Sequence, residues 1–376
     1  MSIAIAPRTS STHVTSHPSG PGAVALAVVG PAGATGSGAS AGEYIISTAA
    51  ARKISATAAA ATSPTGSAGT WSTVDDRVQG IDLQCYSTCN SLRSAAAPGL
   101  VPSTPMTLPA PRPDGTCIVT GASSGIGSEI ARELASRGVG LTLVARREDR
   151  LRALADELAA AYGIRVEVIT ADLADEGSRS RIATQLADRG LEVDVLGNNA
   201  GFSTMGPVAA SDPLRELAMV RTVVEAVVHL CSVFLPAMVE RRRGAILNVA
   251  STAAFQPLPG QAGYGAAKAF VLSYSQGIRA ELSRTPVTVT ALCPGPVETE
   301  FATAAGLTDE QAGAALPGFM WVSAVDVAKA GVEGLDKGRA VVIPGAANKV
   351  SAVSGHLTPR RLLLPILAKQ HPSLRP

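Results

Sequence analysis

Residues 116–127 read Thr116-Cys117-Ile118-Val119-Thr120-Gly121-Ala122-Ser123-Ser124-Gly125-Ile126-Gly127, and this stretch decides the fold. Thr116–Thr120 carries no charge and is rich in β-branched residues, which predicts a short buried strand. A helical period follows over Gly125–Arg137 and stops at Gly138. Between them three glycines arrive in G-x3-G-x-G order. Gly121 permits the tight turn, Gly125 lets the backbone approach a pyrophosphate, and Gly127 lets the helix lie close to the sheet. The free N–H groups at that helix start, with the helix dipole, then favour phosphate. The spacing differs from the G-x-G-x-x-G of most dinucleotide-binding turns.

Downstream the same alternation repeats. Strands are expected at 141–145, 166–170, 193–196, 245–250, 287–292 and 340–343. Helices are expected at 148–162, 178–189, 214–242, 264–283 and 325–335. The strands are apolar throughout rather than alternating, as burial on both faces requires. Alternating strands and helices joined by right-handed crossovers give an α/β fold, a Rossmann-like doubly wound parallel sheet in a single domain over 113–345.

The flanks differ in kind. Residues 1–112 are rich in Ala, Ser, Thr, Gly and Pro, and the first 70 hold one acidic residue, Glu43. No period persists there, so burial does not offset the cost of ordering the chain, and a disordered N-terminal extension is expected. A mis-set upstream start codon or a Ser-rich transit peptide would give the same composition. The prolines of 98–113 read as an extended linker. The tail 346–376 contains Arg360-Arg361-Leu362-Leu363-Leu364-Pro365-Ile366-Leu367-Ala368-Lys369, apolar with basic flanks. Docking on its own domain, a partner subunit or a weak membrane-surface contact all suit it, and Pro365 argues against a long helix.

Composition narrows the function. The formal charge of +2 gives no reason to expect a nucleic-acid partner. No apolar run approaches the ~20 residues that span a bilayer. Of the five cysteines, Cys85 and Cys89 form a C-x3-C pair without the second pair or histidines that a metal site wants, so no metal is expected. Scattered cysteines suit a reducing, cytoplasmic location.

Two further groups carry chemistry. In Tyr264-Gly265-Ala266-Ala267-Lys268 the Tyr and Lys lie four apart, on one helix face. An ammonium beside a phenol favours the phenolate, so Tyr264 is expected to have a lowered pKa and to exchange a proton with a carbonyl or alcohol oxygen. Ser251, 13 residues earlier at the end of a strand, offers a hydroxyl to the same oxygen. Each feature alone is ordinary: a surface Tyr/Lys pair, a turn serine. Their order along the chain is not.

These motifs, with Asn198-Asn199-Ala200-Gly201 and Pro294-Gly295-Pro296-Val297-Glu298-Thr299, resemble the classical short-chain dehydrogenase/reductase family over about 113–345. The resemblance implies that Tyr264 is the acid/base, that Lys268 lowers its pKa and holds the nicotinamide ribose, and that Ser251 orients the carbonyl. It implies a nicotinamide cofactor over Gly121, Ser123, Ser124, Gly125, Ile126 and Gly127. Asp172 and Leu173 would meet the adenine, and Asn198, Asn199, Ala200 and Gly201 would line the adenosine side and stabilise the sheet. Pro294, Gly295, Val297 and Thr299 would hold the carboxamide. A homo-oligomer is implied as well. Val144-Ala145-Arg146-Arg147 ends the second strand with arginine where an NAD site usually offers a carboxylate, so NADP is expected over NAD.

Two positions depart from the family pattern. Val223 stands near the place of an Asn that usually holds a proton-relay water, which predicts a slowed relay. Gly197 replaces a branched apolar residue in the fourth strand. The segments 255–263 and 301–322 are expected to wall the substrate pocket. The second contributes Phe301, Leu307, Leu316, Phe319, Met320 and Trp321, which suits a hydrophobic carbonyl or alcohol. Two other readings are a dinucleotide-binding sensor or scaffold, against which the intact Ser251, Tyr264 and Lys268 argue, and an epimerase or dehydratase on the same fold.

Overall fold

The computed structural model describes residues 108–304, 317–370 and Leu374. The extension expected as disordered, up to residue 107, lies outside the described residues, as do Leu307 and Leu316. Seven parallel strands form one sheet in the order β3-β2-β1-β4-β5-β6-β7. They are β1 (Gly115–Thr120), β2 (Leu141–Ala145), β3 (Val166–Thr170), β4 (Glu192–Asn198), β5 (Ala245–Val249), β6 (Thr288–Leu292) and β7 (Val341–Val342). The main helices are α1 (Gly125–Ala135), α2 (Glu148–Tyr162), α3 (Glu176–Asp188), α4 (Pro213–Val220), α5 (Ala226–Glu240), α6 (Ala262–Glu281), α7 (Phe301–Ala304), α8 (Ala324–Asp336), α9 (Ala346–Leu357) and α10 (Arg360–Gln370).

The alternation of each strand feeds two cores. Ile118 of β1, with Val144 and Leu196, faces the layer formed by α3 to α6. Cys117 and Val119, one residue to either side, face α1, α2 and α8. Both faces are covered, which is why these strands carry no polar stripe. The chain winds from β1 to β2 and β3, then returns to place β4 on the other side of β1. That reversal opens a crevice at the carboxyl ends of the strands, where ligands bind in such sheets.

Boundaries depart from expectation in three places. The helix expected unbroken over 214–242 is two helices joined by one π turn, Arg221–Glu225. There the N–H of Ala226 reaches back to the carbonyl of Arg221, and Thr222 Oγ1 donates to Ala218 O at 2.8 Å. The apolar period runs through the turn undisturbed, so the sequence carries no sign of it. The tail is two helices, and Pro365 lies inside α10. The proline forfeits only one ladder bond, to the carbonyl of Arg361, on an exposed turn. Residues 108–112, expected as linker, are tied down. Leu108 N donates to Asp336 Oδ1 at 2.9 Å, and Asp194 in β4 accepts from Arg112 Nε at 2.9 Å and Arg243 Nε at 3.0 Å.

Among the described residues one helical stretch, Pro213–Glu240, is long and apolar enough to cross a membrane by composition. It packs against β4, β5 and α3 instead. Val227, Leu230 and Cys231 supply its buried face.

Candidate active site

The crevice is a cavity of about 620 Å³. Its floor begins at the glycine turn. Gly121 and Gly125 have φ of +68° and +58°, a backbone region that side chains disfavour. A Cβ on Gly125 would press on Thr299 Cγ2 at 3.1 Å. Ser124 caps α1 by backbone position but lends it no side-chain acceptor. The first N–H groups of α1 therefore remain available where the cavity meets the helix, and this cradle fits a diphosphate.

Gly127 plays the other part. A Cβ there would overlap the carbonyl of Gly121 and sit 2.5 Å from Asn199 Nδ2. It is a packing position behind the turn and does not face the cavity. Asn198 stabilises the sheet as expected but does not line the cavity. Expected on the adenosine side, it is buried in a polar ladder behind the wall. Its Nδ2 donates to Asn248 Oδ1 at 2.9 Å, and Asn248 Nδ2 donates to Ser275 Oγ at 2.9 Å. The ladder pins β4 and β5 to α6. Asn199 faces the cavity and also braces the turn, donating from Nδ2 to Thr120 O at 2.9 Å.

All other residues expected to hold the cofactor or to act in catalysis line this one cavity. Ser123, Ser124, Ile126, Arg146 and Arg147 surround its phosphate end, and Asp172 and Leu173 lie beside them. Ala200 and Gly201 lead towards the centre, with Pro294, Gly295, Val297 and Thr299 opposite. Arg146 is exposed at the end of β2, whereas Arg147 turns back over the glycine turn. Its guanidinium donates to Ser124 Oγ at 2.6 Å and to Ser123 Oγ at 3.0 Å.

At the centre, Ser251, Tyr264 and Lys268 come together from β5 and α6. Ser251 Oγ accepts from Ala253 N at 3.1 Å. Tyr264 is buried, packed against Phe301 with ring centroids 5.6 Å apart. Lys268 is also buried, and its Nζ donates to Val249 O at 2.7 Å. The ammonium lies over the Tyr264 ring, 5.7 Å from the centroid.

This arrangement corrects the expected pKa. Burial pushes the Tyr264 phenol up to about 12, and the Ser251 hydroxyl only partly opposes it. Burial likewise pulls Lys268 down to about 8. Both shifts have one cause: desolvation disfavours whichever form is charged. In the free protein near neutral pH, Tyr264 is therefore a proton donor.

The substrate end differs in part from the expected walls. Gln256, Leu258, Gln261, Phe301, Met320 and Trp321 line it, while Phe319 is 77% exposed and points away. Phe202, Met205 and Thr222 also line it, as do Ser351 of α9 and Leu367 of α10. Nothing in the local sequence marks these residues; Ser351 and Leu367 arrive because α9 and α10 fold back over the crevice. Arg360 anchors that return by donating to Phe255 O at 3.3 Å. Val223 is buried in the π turn, its Cγ2 beside Gly201 on the side facing Lys268.

The family model for short chain dehydrogenases matches residues 115–310, more than half of the chain. The chain belongs to the short-chain dehydrogenase family. Among its relatives, sulfoacetaldehyde reductase 2 of Chromohalobacter salexigens is 38% identical over 189 residues, 49% of this chain and 73% of that protein. The very-long-chain 3-oxoacyl-CoA reductase of Anas platyrhynchos is 36% identical over 188 residues, 49% of this chain and 60% of its own length. Among solved structures, a short-chain dehydrogenase from Sphingobium yanoikuyae in complex with NADPH superposes with a TM-score of 0.58. It is 33% identical, and the match covers 67% of this chain and 95% of that one. A member from Burkholderia phymatum in complex with NAD gives 0.57 at 26% identity, over 70% and 98%. This short-chain dehydrogenase is thus an oxidoreductase with a nucleotide-binding sheet, and relatives of its fold carry either dinucleotide.

Proposed function

We propose that this enzyme reduces a hydrophobic ketone or aldehyde with NADPH, and in reverse oxidises the secondary alcohol. The observation that carries the reading is the buried Ser251–Tyr264–Lys268 cluster opening onto an apolar cavity beside a phosphate cradle. The cofactor supplies or accepts the hydride. Ser251 donates to the carbonyl oxygen and fixes its position. Tyr264, a protonated phenol at neutral pH, gives that oxygen its proton. Lys268, held by Val249 O, supports the phenolate left behind. Phe202, Met205, Trp321 and Leu367 exclude water and favour an apolar substrate. A screen of NADPH oxidation against a panel of aliphatic, aromatic and small charged carbonyls tests the proposal. Turnover of the charged aldehydes alone would refute the substrate class.

The preference for NADP rests on Arg146 and Arg147 at the end of β2. Arg146→Asp is expected to remove a 2′-phosphate partner and to lower the ratio of NADPH to NADH kcat/KM by about tenfold or more, since a charge-assisted pair contributes roughly 1.5–3 kcal/mol. An unchanged ratio would remove Arg146 from the assignment.

Val223 presents a methyl where a polar group would hold a relay water near Lys268. Val223→Asn is expected to raise turnover a few-fold, well below the ~10²–10⁴ range of a positioned acid/base, because a relay water only resupplies the proton. No gain, in a variant that still folds, would show that the relay runs elsewhere.

We further propose a cytoplasmic homo-oligomer. The buried thiols of Cys117, Cys231 and Cys293 suit a reducing compartment. Val233 of α5 and Phe270 of α6 leave apolar surface for a second copy. Light scattering of the purified protein reads the oligomer directly, and a monomer at micromolar concentration would end that part of the reading.

A further inference from the structure

The phosphate end of the cavity already contains an anion, and it belongs to the protein. Glu300 follows Thr299, whose methyl lies against Gly125. Its Oε2 accepts from Arg147 Nη1 at 2.8 Å, and its Oε1 from Arg150 Nη1 at 2.6 Å. Arg147 meanwhile places its remaining donors on the hydroxyls of Ser123 and Ser124. One guanidinium therefore ties the loop after β6 to the glycine turn, across the mouth of the nucleotide groove. Ser123, Ser124, Arg147, Thr299 and Glu300 all line that groove.

Carboxylate and phosphate compete for the same fork of guanidinium donors. Glu300 is the loop's own stand-in for such a ligand. Arg150 and Arg147 hold its carboxyl down to about 2, so it stays charged at any working pH. The pair is half-exposed, with Arg147 41% and Glu300 52% accessible. It is consequently weak enough for a dianionic phosphate to displace.

We propose that Glu300 is a specificity-determining residue that competes with the cofactor's 2′-phosphate for Arg147. In the free enzyme it parks Arg147 on the glycine turn. When a 2′-phosphorylated dinucleotide enters, Arg147 leaves Glu300 for the phosphate, while Arg150 keeps Glu300 neutralised. A dinucleotide lacking that phosphate gives Arg147 no new partner, so Glu300 discriminates little against it. The inference rests on Arg147 facing the adenosine ribose, as in the NADP reading above.

Titration of the full chain with NADPH and with NADH, by nicotinamide fluorescence, tests it. Glu300→Gln keeps the shape and removes the charge; Glu300→Ala removes both. Both variants are expected to lower the NADPH Kd by about fivefold at low salt, the scale of one exposed ion pair, and less at high salt. The NADH Kd is expected to change by less than about twofold, because it has no phosphate for the freed guanidinium. An equal gain for both dinucleotides would overturn the proposal and make Glu300 a simple loop latch. A loss of NADPH affinity would overturn it too, since Glu300 would then close over bound cofactor. The wild-type titration separates the two readings. If wild type prefers NADH yet Glu300→Gln shifts it towards NADPH, the NADP reading fails and the competition stands. If wild type prefers NADPH and the variants do not differ from it, the competition fails and the NADP reading stands.

Discussion

Tyr264→Phe is expected to lower kcat/KM for the proposed carbonyl reduction by about 10³-fold, in the middle of the ~10²–10⁴ range for a positioned proton donor. The protein remains folded and still binds dinucleotide, because the ring keeps its contact with Phe301 and only the hydroxyl is lost. Stopped-flow turnover beside a dinucleotide titration checks both halves. Activity within tenfold of wild type would assign the proton to another group. The pH dependence carries the same signature. In the proposed mechanism alcohol oxidation needs the phenolate, and burial pushes the Tyr264 phenol up to about 12, so oxidation is expected to rise with pH above neutrality. Reduction needs the phenol, which persists through that range. Its decline is expected to follow Lys268, which burial pulls down to about 8. The Phe variant loses the rise in the oxidation direction.

Gly127→Val destabilises the domain by about 3 kcal/mol, the upper part of the usual cost of overpacking, and lowers Tm by about 10 °C for a domain of this size. The added atoms collide with the carbonyl of Gly121, which is backbone and has nowhere to move. Asn199, braced on Thr120, blocks the other side. The start of α1 must lift away, and the phosphate cradle goes with it, so dinucleotide affinity falls together with Tm. Gly277→Ala in α6 is the control: nothing lies within 4 Å of that position, and a small gain in stability is expected there. Scanning calorimetry of the two variants decides the matter, and a Gly127→Val protein melting within about 2 °C of wild type would show that α1 does not need this approach.

Ser251, Tyr264 and Lys268 were legible because period places each at a strand end or on a helix face, and their order with the glycine turn resembles the family's pattern. Their pKa values were not. Sequence suggests that Lys268 acidifies Tyr264, but both groups are buried by residues distant in the chain, and desolvation is the largest cause of both shifts. Asn198 shows the same gap from the other direction. Its neighbours Asn199 to Gly201 reach the cavity, whereas its own side chain, one residue earlier on the strand, points into the ladder with Asn248 and Ser275.

The sheet, its double winding and the order of the chemical groups follow from local signals: apolar runs buried on both faces, glycines where the backbone must turn or approach, and a Tyr/Lys pair at helical spacing. Which of these residues face the cavity, and what else joins them, follows from long-range packing. The π turn at Arg221–Glu225 leaves no trace in the apolar period, and Leu367 reaches the pocket only because α9 and α10 return over it. Glu300 meets Arg147 across 153 residues. Such contacts depend on where distant elements are brought by packing on the common sheet, and no local spacing records that.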